Sequence, residues 1–428
     1  MEQILVNQNK HWKNGKYTDV FQRKIVDELL NYLPMREILI LTGIRRSGKS
    51  SLFKLIINHL TEQTAAGKIL FINCEDPHFY EVWNHSAKFY DIIETAEKLT
   101  GNRFDYLFID EIQHIKQWEN FVKSIYEAGL YRKIFITGSN SDLLSNEYIG
   151  LLSGRFIEKK VTPLSFREIL ALNQLNTYLE VVSEKAKALL LLDNYLEFGG
   201  FPEVYKTSLT ELKYELLSHY YQTIVLKDCV LKNKIREVEK FRQLAFYLFH
   251  NIGTVYSYNS IAKATANNEN TAQSYLSVLE NSYALCEIKN FRFSQKINSN
   301  AKNKTYCIDN GLIQAVKYNF SADKGRMLEN AVFSEIIKTG KFEIFFFNDK
   351  NECDFILKSK NEFIALQVCY ELNSNNKQRE INGLHKAQEL FKVQKLILVT
   401  YNQKETIEGI DVYSFIEFCY FLGRLVTN

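Results

Sequence analysis

One short stretch restricts the fold more than any other part of the chain: Gly43-Ile44-Arg45-Arg46-Ser47-Gly48-Lys49-Ser50. It matches G-x-x-x-x-G-K-[ST]. An apolar run of strand length, MREILILTG (35–43), leads into it, and SLFKLIINHL, with helical apolar spacing, follows. A loop between strand and helix turns successive backbone N–H groups inward. Its glycines admit phosphate oxygens closely, and the helix N-terminus adds positive potential. The spacing predicts a nucleotide site made by Gly43, Ile44, Arg45, Arg46, Ser47, Gly48, Lys49, Ser50 and Ser51. Lys49 is expected to reach the β- and γ-phosphates of ATP, and Ser50 to ligate Mg2+. Arg45 and Arg46 contact either the nucleotide or a partner surface.

A phosphate loop of this kind needs an acidic partner for the metal. DYLFID (105–110) reads as a buried strand ending in two carboxylates, Asp110 and Glu111. Asp110 is expected to hold Mg2+ and Glu111 to polarise the attacking water. An acidic helix cap is the plainer alternative. The next strand, KIFITG (133–138), runs into Ser139 and Asn140, candidates to touch the γ-phosphate or the lytic water, or simply to cap a helix. Arg155 precedes a fifth strand, FIEKKV (156–161). Its guanidinium is read either as a stabiliser of transition-state charge, from its own or a neighbouring subunit, or as half of a surface ion pair.

The first 165 residues alternate strand and helix patterns, which predicts a mostly parallel sheet covered on both faces. Residues 166–237 read as helical. Residues 238–310 read as three helices and then a strand, ALCEIKNFRF, an order that fits a winged helix. Residues 311–428 hold a helix, three successive strand candidates, a further helix and the strand KLILVT. The class is therefore α/β throughout its ends with a helical middle. No apolar run approaches the roughly 18 residues of a membrane-crossing helix, and the opening MEQILVNQNKHWK lacks the apolar core of a secretory leader. Seven scattered cysteines without C-x-x-C spacing suggest neither zinc nor disulfides. A reducing, cytoplasmic setting is expected. The net charge of +3 is too mild to indicate nucleic acid by itself.

GIRRSGKSS, LFIDEIQHI, ITGSNSDLL, LLSGRF…VTPLSFREIL and YLEFGGFPEVY occur in this order, followed by KTYCIDNGLIQAV and GRMLENAVFSEI. Together they resemble the bacterial and archaeal AAA-family ATPases with a DUF4143 C-terminal region, over nearly the whole chain. The resemblance implies an additional-strand P-loop ATPase core, a winged-helix unit, and a restriction-endonuclease-like C-terminal fold. It carries the ATP-site roles onto Gly43, Gly48, Lys49, Ser50, Asp110 and Glu111. The nuclease pattern it implies, an acid on a helix, an Asp at a strand start and (E/Q)-x-K on the next strand, falls on Glu329, Asp354 and Gln367-Val368-Cys369. A thiol stands where the lysine belongs, so a retained fold without cleavage is expected, with Lys377 as the one candidate for a displaced lysine.

Residues 289–304 carry Lys289, Arg292, Lys296, Lys302 and Lys304 with Phe291 and Phe293 interleaved and no acidic residue. As the wing of a winged helix this stretch would offer charge to DNA phosphates. The helix before it supplies Gln273, Ser274 and Ser277 but no Lys or Arg, so base readout is not supported. Packing within the chain or between subunits is the equal alternative. Three functions stay open: an ATPase driving a conformational change in an unknown partner, a slow nucleotide-dependent switch or scaffold, and a DNA-binding effector with a degenerate nuclease end. A homo-oligomer is compatible with each.

Overall fold

Apolar runs too short for a helix become strands when both of their faces can be covered. In the computed structural model of the chain, residues 1–13, 15–138, 150–292, 302–316, 324–360 and 362–425 are described. Two compact units form, Met1–Val161 and Thr162–Asn428.

The first unit is built on β1 (Ile38–Thr42), β2 (Ile69–Asn73), β3 (Tyr106–Asp110), β4 (Lys133–Thr137) and β5 (Phe156–Lys160). All neighbours are parallel, in the order β2-β3-β4-β1-β5. Every strand falls on a run that the sequence predicts. In β1 to β4 side chains alternate between two buried layers, which is why these strands read as largely apolar runs. Ile38 and Ile40 join one layer with Ile92, Phe121 and Val122 of the helices Phe89–Thr100 and Trp118–Glu127. Leu39 and Leu41 join the other with Phe53, Ile56 and Leu60 of the helix Lys49–Leu60. Phe108 and Phe135 stack across β3 and β4 at 4.3 Å between ring centres.

The free edge of β2 is covered by the N-terminal segment rather than by a strand. The Asn9 amide donates to Phe71 O at 2.9 Å and accepts from Phe71 N at 2.7 Å, as a paired strand residue would. The Gln8 side chain accepts from Asn73 N, and Trp12 Nε1 donates to Ile69 O. Backbone groups that would template another chain are thereby satisfied.

In the second unit, helices including Phe166–Leu172, Lys185–Phe198 and Thr210–Thr223 precede three more, Val238–His250, Tyr258–Ala264 and Glu269–Asn281. An antiparallel hairpin follows, β6 (Leu285–Lys289) and β7 (Asn303–Cys307). Then come the helix Lys324–Lys338 and a mixed sheet of β8 (Glu343–Asn348), β9 (Glu352–Ser359), β10 (Glu362–Cys369), β11 (Lys395–Thr400) and β12 (Asp411–Ser414), in the order β12-β11-β10-β9-β8. The helix Lys377–Phe391 packs on one face of this sheet through Leu384, Ala387 and Phe391.

The segments that look most family-specific in sequence meet inside this unit. Asp309 accepts from Gly200 N at 2.7 Å and from Gly311 N at 2.9 Å. Gly199 has φ +71°, and a Cβ there would lie 1.7 Å from the Asp309 carboxylate. Only glycine fits. Leu164 N donates to Gly200 O, and Glu335 accepts from Phe166 N and from the Tyr195 hydroxyl. Buried polar groups paired over such long sequence separations specify one arrangement of the chain.

The basic stretch 289–304 differs from expectation. β6 ends at Lys289, and the chain re-enters the sheet at Asn303, so Lys304 is a strand residue and is buried. Phe291 is half-buried and packs against Phe345, Phe363 and Phe391, so its ring is engaged within the chain and is not a platform for bases. The Lys302 ammonium donates to the Asn348 side chain. Lys289 and Arg292 are exposed; Lys296 and Phe293 lie outside the described residues.

Candidate nucleotide site

The 43–50 loop leaves the C-terminal end of β1 and enters the helix Lys49–Leu60 through Gly48. Gly43 has φ +130°, and a Cβ on it would meet Val161 O at 2.1 Å, so the loop can fold this tightly only with glycine there. Arg46 also has positive φ, +68°, a strained backbone for a residue that carries a Cβ. Ile44 is buried and anchors the loop. Arg23 donates to Ser47 O at 3.2 Å, while the Ser47 hydroxyl is buried and has no hydrogen-bond partner among the described residues. The Lys49 ammonium is folded back onto Gly43 O at 2.9 Å and Ile44 O at 3.1 Å. Ser51 is half-buried on the helix, and Arg45 lies 3.8 Å from Glu75.

The sheet order brings the acidic pair to this loop. β4 lies between β1 and β3, and Thr137 ends it. The Thr137 hydroxyl donates to Asp110 Oδ1 and accepts from Glu111 N at 3.0 Å. The Ser50 hydroxyl lies near enough to the Asp110 carboxylate to favour its charged form. Burial, and then the Glu111 charge, push Asp110 up to about 6 against the pull of Thr137, Ser50 and Lys49. Burial would raise Glu111 too, but Lys49, the Gln113 amide, Arg45 and His114 outweigh it and hold its carboxyl below the usual range. Glu111 has φ +52°, and the Gln113 amide donates to its Oε2. Its backbone is strained and its side chain tethered, which fixes its aim. Thr137 is the residue that sequence reasoning passed over in favour of Ser139 and Asn140, both of which lie outside the described residues. The available signal was a hydroxyl ending a strand beside an Asp-Glu pair.

Arg155 is not at this end of the sheet. Its carbonyl accepts from Ile38 N, where β1 begins, and its guanidinium pairs with Glu127 at 3.0 Å. A five-residue strand separates it from Gly43, roughly 16 Å, which is beyond the reach of its side chain.

In the second unit, Glu329 and Asp354 do converge, together with Glu352 and Lys304. Gln367 is turned to structural work: it accepts from Asp354 N at 3.1 Å and donates to Glu380 at 2.6 Å. Cys369 is buried, its thiol donates to Glu371 O at 3.2 Å, and burial pushes it up to about 11. Lys377 pairs with Glu405 at the surface and takes no part in the cluster. Among the described residues, no helix is long and apolar enough to cross a membrane.

A family model for an AAA domain matches residues 35–170, and models for two domains of unknown function, DUF8612 and DUF4143, match residues 189–323 and 324–418. An uncharacterised protein of Methanocaldococcus jannaschii is 33% identical over 389 residues, 88% of this chain and 84% of that protein. An uncharacterised protein of Haemophilus influenzae is 28% identical over 399 residues, 92% of this chain and 96% of its own length. Among solved structures, Cdc6p from Pyrobaculum aerophilum aligns over 69% of this chain and 93% of its own at 10% identity, with a TM-score of 0.30. The chain belongs to the family of P-loop ATPases that join an AAA domain to a DUF4143 region.

Proposed function

We propose that the first unit binds ATP with Mg2+ and hydrolyses it, and that turnover drives a conformational change in a partner of this chain. One observation carries this reading: a phosphate loop and the Asp110-Glu111 pair, both acids held by the Thr137 hydroxyl, meet at one end of the sheet, with Ser50 and Lys49 near enough to favour the charged form of Asp110. Ser50 and Asp110 are the two side chains that would hold Mg2+. The fit extends to the loop itself. The orphaned Ser47 hydroxyl and the Lys49 ammonium, paired with loop carbonyls, are the groups a polyphosphate would engage. When bound, Mg2+ offsets charge on the phosphates and lowers the barrier to attack at the γ-phosphoryl group.

The chain's own residues do the rest. Lys49 turns from Gly43 O and Ile44 O toward the β- and γ-phosphates. Thr137 holds Asp110 and the Glu111 backbone in fixed relation. Glu111, kept ionised by the cations around it, accepts a hydrogen bond from the attacking water and orients it. Ser139 and Asn140, next along the chain from β4, are assigned to the γ-phosphate. Arg155, remote from its own loop, is assigned to the nucleotide of a neighbouring subunit in a homo-oligomer.

Three helices followed by the β6–β7 hairpin support a winged-helix reading of the middle. The β8–β12 sheet with its flanking helices supports a nuclease-like reading of the end, without cleavage. With Lys304 buried and Phe291 packed against an apolar core, the charge left for DNA among the described residues of the hairpin is Lys289, Arg292 and Lys302. A protein partner therefore fits better than a nucleic acid. The experiment for the ATPase reading is Glu111→Gln, which should bind ATP and not turn it over.

A further inference from the structure

The carboxylates expected to hold a nuclease metal are gathered around an ammonium. Lys304 Nζ lies 2.7 Å from Glu352 Oε1, 3.2 Å from Glu329 Oε1 and 3.4 Å from Asp354 Oδ1. Its side chain is 2% exposed, and it sits 5.6 Å from the centre of the Phe346 ring. The carboxylates have further donors: the Tyr306 hydroxyl donates to the same Glu329 Oε1, Val368 N to Asp354 Oδ2 at 2.9 Å, and the Asn348 amide to Glu352 Oε2 at 3.2 Å.

Three carboxylates within 3.4 Å surround the enclosed ammonium and compensate its charge. A divalent ion among the same oxygens would stand within a few ångströms of it, in a site that screens charge poorly. Lys304 has no route out, because its backbone is paired within β7 and its stem is enclosed. Among the described residues, no group of three or more His, Cys, Asp or Glu side chains is set to hold a metal ion. The residues present do not fit a nuclease metal.

We propose that Lys304 is the resident cation of this cluster. It stands where a nuclease-like fold would hold its divalent metal, and it ties the β6–β7 hairpin to β9 and to the helix Lys324–Lys338. The comparison with a nuclease rests on the nuclease-like reading of this sheet; the occupancy of the cluster by Lys304 does not. The missing activity then has a cause beyond Cys369, since restoring a lysine at 369 alone would leave the metal excluded.

Mn2+ uptake by the full-length, nucleotide-free protein tests this directly. The parent, Lys304→Arg, Lys304→Met, Glu352→Gln and the double variant Lys304→Met/Glu352→Gln are compared. Any uptake at the nucleotide site is common to all five and cancels. Lys304→Met should bind one Mn2+ more than the parent, roughly tenfold or more tightly than any parental uptake at that cluster, because three carboxylates lose their counter-ion. The added site should vanish in the double variant. Lys304→Met should also melt below the parent and be raised by Mn2+, whereas Lys304→Arg should bind no extra metal. Should Lys304→Met fold only when Mn2+ is present, that rescue supports the proposal. Failure of Mn2+ to rescue it, or a folded Lys304→Met with no added site, overturns it. Parental Mn2+ uptake abolished by Glu352→Gln also overturns it, since metal and ammonium would then coexist. DNA cleavage is scored separately: cleavage by the parent would sink the inactive-nuclease reading without bearing on where the cation sits.

Discussion

A single hydroxyl, that of Thr137, sets the geometry of both acids at the nucleotide site. It donates to Asp110 and accepts from the Glu111 backbone. Thr137→Val keeps the shape and removes both bonds, leaving a buried carboxylate short of a donor and a buried N–H without an acceptor. The expected loss of stability is about 1–3 kcal/mol, read by denaturant unfolding. ATP turnover should fall roughly tenfold or more while ATP affinity stays close to the parent's, because positioning matters most in the transition state. Unchanged turnover would mean that Asp110 and Glu111 are aimed by other groups. The same scale shows why Asp110 and Glu111, adjacent in sequence, differ in character. Asp110 is buried on the strand beside its neighbour's charge, and Glu111 faces Lys49 and Arg45.

Among the elements, the N-terminal segment has a role that depends on pH. His11 Nε2 is 3.0 Å from Ile69 O and Nδ1 is 3.2 Å from the Tyr17 hydroxyl. Burial lowers its imidazole from 6.5 to about 4, against a smaller raising effect of Ile69 O. The folded state therefore holds His11 neutral where the unfolded chain would protonate it. Its contribution is complete above pH 6.5 and is lost as pH falls toward 4. Between pH 7 and pH 5 the first unit should lose about 2 kcal/mol that a His11→Gln variant does not lose. Urea unfolding of both proteins at the two pH values measures the difference. An equal acid response in parent and variant would remove His11 from the account.

Elements also show what was legible in the sequence. β1 to β4 are readable because both faces are buried and each strand is therefore largely an apolar run. β7 is not. It opens with Asn303, Lys304 and Thr305, which look like the end of a polar loop, yet all three are buried. Their partners are Tyr256, Glu329, Glu352 and Asp354, distant along the chain. No local pattern reveals a buried ion cluster of that kind. For the same reason Lys304 reads as a surface charge, and the N-terminal edge cover is missed because Asn9 and His11 act through side chains. The loop 43–50 and the Asp-Glu pair are legible because their chemistry is written in contiguous residues. Thr137 becomes visible only through the strand order that places β4 between β1 and β3.

At the scale of the whole molecule, the question is how the nucleotide site is completed and what it drives. Arg155 pairs with Glu127 at the far end of β1 from its own phosphate loop. If it serves a neighbouring subunit, Arg155→Ala should slow hydrolysis with ATP binding intact. Mixing it with Lys49→Ala should restore part of the activity, because each variant supplies what the other lacks. Full activity of Arg155→Ala alone would leave the arginine as a surface ion pair worth little. The central claim, that this loop and these two acids form an ATP-hydrolysing site, is tested most directly on Glu111→Gln. Equilibrium ATP binding and steady-state turnover are measured with Mg2+ beside the parent, with Lys49→Ala as the binding-defective control. The expected result is parental ATP affinity with turnover down roughly 100-fold or more, the size of a lost general base. Turnover equal to the parent's in Glu111→Gln, or ATP binding undiminished in Lys49→Ala, would contradict it.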